Sequence, residues 1–204
     1  MVLESDIMIK NLQEELTCTL DIISCSSAQT KHLGMRLGAL LHGGELILLN
    51  GQLGSGKTTF TQGLAEGMRI TDIVSSPTFT LLKEYRSQFQ PVSDETNTAE
   101  VAAKRLGPMQ SEVHSLYHFD LYRLDDPDEI IDLGFEDYFY NPNPGSDVCV
   151  VEWADKADAF WPAERLSICF NALDEARRCL LFVATGTHYC ELLRQFSEEN
   201  ICDY

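Results

Sequence analysis

The chain has 204 residues, of which 44% are hydrophobic, and this length and composition allow one domain with a full core. Its 15 Lys and Arg residues against 32 Asp and Glu residues give a formal net charge of -17, and so acidic a surface argues against strong direct binding of DNA or RNA. The seven cysteines are scattered and include no C-x-x-C pair, which predicts free thiols. The first residues include Glu4 and Asp6, and no apolar run approaches the about 18 residues that a membrane span needs. These features predict a cytoplasmic protein.

The first third of the chain alternates strand and helix patterns. The elements predicted there are a strand over 16–24, a helix that Ser26 or Ser27 caps and that Gly43 and Gly44 end, a short apolar strand over 45–50, and a helix over 57–68. A glycine-rich turn joins the second strand to the second helix. The order strand, loop, helix is therefore expected around residues 51–56.

The rest of the chain continues this alternation after a polar stretch over 87–113, which its composition predicts to be an inserted, mobile loop. Apolar runs predict strands over 78–85, 116–122, 148–153, 166–170 and 179–184, and helical patterns cover 127–139 and 187–198. The alternation predicts an α/β fold: a P-loop NTPase-like layered domain with a central, mostly parallel or mixed β-sheet flanked by helices, formed by residues 1–204 as a single domain.

The turn after the second strand matches a phosphate-binding motif at every position. Residues 51–58, GQLGSGKT, satisfy G-x-x-x-x-G-K-[ST], with an apolar strand before them and a helix after them. The backbone N–H groups of Gly51, Leu53, Gly54, Ser55 and Gly56 are predicted to cradle phosphates at the helix N-terminus, because the three glycines permit positive φ and close approach. Lys57 is expected to bridge the β- and γ-phosphates, and the Thr58 hydroxyl to ligate Mg²⁺.

Two carboxylates are candidates for completing this site. Asp120 and Glu152 each end a strand-like run, and the carboxyl ends of parallel strands meet at one edge of a sheet. We therefore assign both to the Mg²⁺ and water side of the site. The alternative is that each carboxylate only caps the turn that follows its strand.

Two further features have two interpretations each. The segment 75–80, SSPTFT, is compatible with a switch that senses the γ-phosphate through Thr78 or Thr80, and equally with the start of an edge strand, where proline is tolerated. Trp153, next to Glu152, is compatible with an apolar wall of the nucleotide site or with the core, which is the commoner position of such a residue.

Four stretches of the chain are distinctive as a set: GQLGSGKTTF (51–60), SPTFTLLKEY (76–85), LYHFDLYRLDDPDEIIDLGFEDYF (116–139) and VCVVEWADKA (148–157). In this order they resemble the TsaE (YjeE) family of bacterial ATPases that act in tRNA threonylcarbamoyladenosine biosynthesis. The resemblance implies a cytoplasmic P-loop ATPase that binds ATP and Mg²⁺ and docks on the TsaB–TsaD heterodimer. It also implies that hydrolysis, slow in the isolated chain, resets that complex between transfers of threonylcarbamoyl to the N6 of an adenosine beside the anticodon.

The resemblance also implies roles for individual residues. Lys57 would contact phosphates, Thr58 and Glu152 would hold Mg²⁺, and Asp120 would be the Walker B-like acid. Thr59 resembles the family's second P-loop hydroxyl, and Ser27 falls where the family's N-terminal segment approaches the nucleotide. The sequence departs from the family in the 87–113 insertion, in the extension before residue 17 and in its C-terminal third.

Three other functions fit the same loop. A GTPase is suggested by Asp155-Lys156-Ala157-Asp158, which resembles [NT]-K-x-D, although its first position differs and no D-x-x-G occurs between the P-loop and this point. A small-molecule kinase would need an arginine-bearing lid, and the long insertion offers Lys104 and Arg105. A third possibility is an interaction module that nucleotide binding switches without turnover.

Overall fold

The computed structural model describes residues 16–87, 115–140 and 147–201. All seven strands of these residues form one sheet. The strands are β1 (Thr17–Ser24), β2 (Leu46–Gly51), β3 (Leu82–Arg86), β4 (Ser115–Asp120), β5 (Asp147–Glu152), β6 (Arg165–Ala172) and β7 (Arg178–Thr185).

The sheet is mixed, with a parallel centre. Its strand order is β1-β7-β6-β2-β5-β4-β3. The four strands β6, β2, β5 and β4 run parallel, whereas β1, β7 and β3 pair antiparallel to their neighbours. The predicted α/β class with a mixed sheet is confirmed, and the central strand β2 leads directly into the glycine-rich turn.

Five α-helices and one 3₁₀ segment accompany the sheet within the described residues. They are α1 (Ser27–Leu40), α2 (Lys57–Gly67), α3 (Glu129–Asp132), α4 (Glu136–Tyr140), the 3₁₀ segment Ala154–Phe160 and α5 (Thr187–Ile201). The larger core cluster contains buried residues of α1, α2 and α5 and of one sheet face, and a smaller cluster contains residues of α3, α4 and the 3₁₀ segment. Nowhere in the described ranges is a helix long and apolar enough to cross a membrane.

The start of α1 is fixed by a cap. Of the two predicted capping residues it is Ser26 that acts, since its hydroxyl accepts a hydrogen bond from Gln29 N at 3.1 Å. The Gln29 side chain reaches back and accepts from Cys25 N at 2.6 Å. The helix ends at Leu40, before the predicted Gly43 and Gly44.

Glycines let α1 and α2 touch through their backbones. A Cβ on Gly63 of α2 would lie 1.8 Å from the Lys31 carbonyl oxygen, and one on Gly34 of α1 would lie 2.1 Å from the Phe60 carbonyl oxygen. Gly38 and Gly67 make the same kind of approach one turn further along. This contact fixes the two helix N-termini, which both border the candidate site, relative to each other.

Two predicted elements differ from the structure, and a third lies almost entirely outside the described residues. The strand predicted from residue 78 begins at Leu82, because residues 78–81 form a turn in which Thr80 N and Leu81 N both donate to Pro77 O. The helix predicted over 127–139 is two short helices, separated where Gly134 adopts a φ of 68°. Apart from Ser87, the predicted insertion over 87–113 lies outside the described residues, as do residues 1–15.

Candidate functional site

The glycine-rich turn has the geometry of a phosphate-binding loop. It leaves the end of β2 at Gly51 and enters α2 at Lys57. Gly56 caps α2 with a φ of 108°, and Gly54 has a φ of 75°, conformations that side chains rarely adopt. The N-terminus of α2 therefore opens directly onto the loop, and its N–H groups and dipole favour an anion there. Leu53 is 79% exposed, so its side chain faces solvent and only its backbone is available for the predicted phosphate contact.

Lys57 is held inside the loop. Its Nζ donates to Gly51 O at 2.6 Å and to Gln52 O at 3.0 Å, and it lies 3.9 Å from the centroid of the Trp153 ring. Burial lowers the pKa of Lys57, and the negative charges of Glu152, Asp120 and Asp155 oppose that effect. The ammonium group is thus placed among the acids that were assigned to the same site.

Thr58 and Glu152 are in direct contact. The Thr58 hydroxyl donates to Glu152 Oε2 at 3.1 Å, across the gap between α2 and β5. Two neighbouring ligands of an octahedral Mg²⁺ at about 2.1 Å lie about 3 Å apart, so this oxygen pair fits adjacent positions of a magnesium shell. In the described part of the chain, no group of three or more His, Cys, Asp and Glu side chains is arranged to hold a metal ion.

Asp120 lies beside Glu152 at the same edge of the sheet. The two residues are register partners in the parallel β4–β5 pair, and both are buried. Asp120 Oδ1 accepts from Tyr122 N at 3.0 Å. Its Oδ2 accepts from the hydroxyl groups of Thr78, at 2.6 Å, and Ser76.

The segment before β3 therefore belongs to the site and not to the sheet. Thr78 binds Asp120, whereas the Thr80 hydroxyl contacts only the Pro77 carbonyl oxygen, at 3.4 Å, among the hydrogen bonds of the described residues. The edge-strand interpretation of Thr78 is wrong, because the strand begins four residues later. Of the two hydroxyls proposed as γ-phosphate sensors, the structure connects Thr78 to the carboxylates.

His118 is a site residue that the sequence analysis missed. Its Nε2 lies 2.9 Å from Glu152 Oε1, and its side chain is fully buried. The sequence did contain a signal, because residues two apart in a strand share a face, and His118 precedes Asp120 by two. Glu152 is thereby engaged through both oxygens, one toward His118 and one toward Thr58.

A cavity of about 330 Å³ adjoins the other side of the loop. Its walls come from the start of α1, from the loop and α2, and from the β6–β7 turn; the lining residues are Ser26, Ser27, Thr30, Gly54, Ser55, Gly56, Thr59, Glu175, Ala176 and Arg178. Ser27 and Thr59, predicted near the nucleotide, thus meet the phosphate loop in one cavity. Glu175 was not predicted, because a turn between two antiparallel strands carries no motif. Arg178 was left unassigned, because Arg177 and Arg178 resemble a family nucleotide contact only loosely.

Asp155 and Lys156, from the segment that resembles the guanine-reading [NT]-K-x-D motif, lie outside this cavity. Asp155 N donates to Asn50 Oδ1 at 2.9 Å, and Lys156 Nζ donates to Leu124 O at 2.8 Å. Neither residue lines the cavity beside the loop. The structure thus gives this element no position from which to read a base in that cavity.

Trp153 packs against the smaller core cluster but is not fully buried in it. It is half-buried, has a φ of 60°, and packs between Lys57 and the Tyr122 ring, whose centroid is 4.9 Å away. A non-glycine residue in this conformation is held by its surroundings, and such residues cluster at functional sites. Each interpretation of Trp153 therefore holds in part: the ring packs against the core and also forms a wall against Lys57.

Comparisons with known proteins give a consistent result. The family model described as threonylcarbamoyl adenosine biosynthesis protein TsaE matches residues 24–96 and 104–180. The chain is 37% identical over 172 residues to the tRNA threonylcarbamoyladenosine biosynthesis protein TsaE of Bacillus subtilis (strain 168), covering 84% of this chain and 90% of that protein. It is 34% identical over 141 residues to the TsaE protein of Haemophilus influenzae, covering 69% and 72% of the two chains. A crystal structure of Bacillus subtilis YdiB superposes with a TM-score of 0.65 at 31% identity, covering 91% of this chain and 98% of that one.

Proposed function

Because this chain belongs to the TsaE family of threonylcarbamoyl adenosine biosynthesis proteins, we propose that it is a Mg²⁺-dependent ATPase of that pathway. It binds ATP at residues 51–58 and hydrolyses it slowly alone and faster with its partners. One observation carries the proposal: the phosphate loop places Thr58 against Glu152 at 3.1 Å, so a metal ligand and a strand-end carboxylate meet at the N-terminus of α2.

The phosphates are bound by the loop and by Lys57. The backbone N–H groups at the start of α2 face the β-phosphate, and the Lys57 ammonium exchanges its carbonyl partners, Gly51 O and Gln52 O, for phosphate oxygens. Burial makes this contact stronger than it would be in water. Thr58 and Glu152 would hold Mg²⁺, which when bound would supply positive charge against the negative charge that develops on the phosphates during transfer.

The two carboxylates divide the remaining work. Glu152 would share the metal with Thr58, because its Oε2 already lies beside that hydroxyl. Asp120, which accepts hydrogen bonds from Ser76 and Thr78, would support the metal side of the site and orient the attacking water. Its bond to Thr78 would connect the γ-phosphate side of the site to the turn before β3.

The nucleoside occupies the cavity between the β6–β7 turn and the start of α1. Asp120 and Glu152 do not line this cavity, whereas Ser27 and Thr59 do. In this proposal the nucleoside lies on one side of residues 51–58, in the cavity, and Asp120 and Glu152 lie on the other side. A single triphosphate bound along the loop would have its nucleoside and its γ-phosphate at these two ends. The position of Asp155 and Lys156 away from the cavity favours ATP over GTP.

The partners are the TsaB and TsaD proteins, and the location is the cytoplasm. The chain's net charge of -17 is unsuited to holding tRNA. A partner that holds the tRNA removes the need for a basic surface on this chain. Nucleotide hydrolysis then resets the transferase complex between turnovers.

The test is tRNA modification by the purified TsaB–TsaD pair, with and without this protein. We expect repeated rounds of threonylcarbamoyladenosine formation only with the wild-type chain, ATP and Mg²⁺. Lys57→Ala, which lacks the phosphate contact, should support at most one round. Equal modification with and without this protein would overturn the proposal, and modification that needs the protein but not Lys57 would favour a module that acts without turnover.

A further inference from the structure

His118 is a buried polar side chain in the strand that carries Asp120. It lies on the same face of β4 as Leu116 and Asp120, and Leu116 packs in the core cluster of α1 and α2. The side chain has no exposed surface, and its Nε2 lies 2.9 Å from Glu152 Oε1. A polar ring in such a position requires a hydrogen-bond partner.

The proton of this hydrogen bond can be assigned from the surroundings. His118 Nδ1 is buried and has no hydrogen-bond partner among the described residues. A proton on Nδ1 would therefore be a buried donor without an acceptor, whereas a proton on Nε2 is donated to Glu152 Oε1. The ring acts as an N–H donor to the carboxylate.

This donor decides which oxygen of Glu152 is available at the metal side. With Oε1 held by His118, Oε2 is directed to the Thr58 hydroxyl at 3.1 Å. Without the donor, the carboxylate is free to rotate about its last torsion, which is a soft one. Partners behind a metal ligand commonly fix its orientation in this way.

We propose that His118 is a positioning residue that fixes the Glu152 carboxylate so that Oε2 meets Mg²⁺ beside Thr58. The inference rests on the proposed function, since it assigns Glu152 to the metal. His118 touches neither nucleotide nor metal in this account. Its effect is therefore expected on the gain in ATP affinity that Mg²⁺ provides, and not on ATP affinity without metal.

The test uses the full chain and compares two variants of one residue. His118→Leu removes the donor and keeps a buried apolar side chain, and His118→Gln keeps an N–H donor of similar reach. Calorimetry gives the affinity for a non-hydrolysable ATP analogue, once with Mg²⁺ and once with a chelator. We expect the three proteins to bind alike without metal. With Mg²⁺, His118→Leu should lose about 10-fold or more of the affinity gained by the wild type, and His118→Gln should recover most of it.

Two results would overturn the inference. One is a full Mg²⁺-dependent gain in His118→Leu, and the other is an equal loss of affinity with and without Mg²⁺, which would indicate packing alone. If His118→Leu does not fold, His118→Asn replaces it, because the shorter amide does not reach Glu152 Oε1. A wild-type protein that binds the analogue in neither condition would refute the proposed function instead.

Discussion

Thr58 and Glu152 are 94 positions apart in the chain, and the hydroxyl of one donates to the carboxylate of the other at 3.1 Å. The contact exists because β5 lies next to β2 in the sheet. The end of β5, at Glu152, therefore faces α2, the helix that follows β2 and contains Thr58. A metal ion at this point would be held by one residue of the phosphate loop and one residue of the sheet. The proposed chemistry depends on this contact.

Replacing each carboxylate should separate their roles. We expect Glu152→Gln to lose about 10- to 100-fold in the Mg²⁺-dependent part of ATP affinity, and Asp120→Asn to lose a similar factor in turnover with less effect on affinity. Asp132→Asn, which removes an exposed carboxylate of α3 that does not act on Lys57, is the control and should change neither. Hydrolysis unchanged in both Asp120→Ala and Glu152→Ala, with folding and ATP affinity intact, would contradict the assignment.

Thr78 and Thr80 should respond differently to the same change. Thr78→Val removes a hydroxyl that donates to Asp120 Oδ2 at 2.6 Å, while Thr80→Val removes one that contacts only Pro77 O among the hydrogen bonds described. Turnover of ATP at saturation should fall about 10-fold in Thr78→Val and stay near wild type in Thr80→Val. Equal turnover in the two variants would show that Thr78 does not orient Asp120.

The α1–α2 contact should not tolerate a methyl group. Gly63→Ala places a Cβ 1.8 Å from the Lys31 carbonyl oxygen, a backbone atom that cannot move aside alone. The gain in helix propensity is about 1 kcal/mol, and overpacking commonly costs about 1 to 3 kcal/mol or more, so we expect a net loss of about 2 kcal/mol in the free energy of unfolding.

Urea titration measures this loss, and Glu66→Ala is the control on the same helix. That change removes only the exposed ion pair with Lys31, which should be worth no more than about 1 kcal/mol. A Gly63→Ala midpoint at or above that of the wild type would mean that the two helices can separate without loss.

Stability should depend weakly on pH through Glu45 and His188. Burial raises the pKa of Glu45, but hydrogen bonds from His188, His42 N and Gly43 N outweigh it and lower the pKa below 4.5. The hydrogen bond to Glu45 raises the pKa of His188 above 6.5, against the effect of burial, and Glu164 adds a smaller attraction. The histidine contribution is therefore complete below pH 6.5 and is lost as the pH rises through the raised value.

The measurement is the difference in unfolding free energy between the wild type and His188→Gln. Because the His188 side chain is 52% exposed, we expect a wild-type advantage of no more than about 0.5 kcal/mol near pH 6, decreasing by pH 8.5. In a Glu45→Gln background, which removes the charged partner of His188, the same comparison should show no such decrease. An advantage of the same size at both pH values would contradict this account of the pair.

The sequence predicted most strands and the phosphate loop because both have local signals. Alternating or continuous apolar runs mark the strands, and eight motif positions mark the loop. Asp120 and Glu152 became candidates because each ends a predicted strand, and a parallel sheet brings the ends of its strands to one edge. Their roles remain predictions, as do the roles assigned to Lys57 and Thr58.

What the sequence left open at Thr78 and Trp153, and what it missed at His118, depends on tertiary contacts. The turn before β3 contains Thr78 because Pro77 O accepts two backbone hydrogen bonds, and Trp153 lies beside Lys57 because its backbone has a φ of 60°. The pairing of His118 with Glu152 requires the β4–β5 neighbourhood. Strand periodicity placed His118 on the face of Asp120, but only the strand order shows which carboxylate it reaches.

The most direct test of the proposed function is ATP hydrolysis by this protein alone and with the purified TsaB–TsaD pair, with GTP for comparison. We predict slow turnover alone, stimulation by the pair, preference for ATP, and a loss of about 100-fold or more in Lys57→Ala. Lys156→Ala, whose ammonium binds Leu124 O away from the cavity, should retain wild-type turnover. A preference for GTP, or phosphate transfer to a small molecule without any response to the pair, would contradict the account.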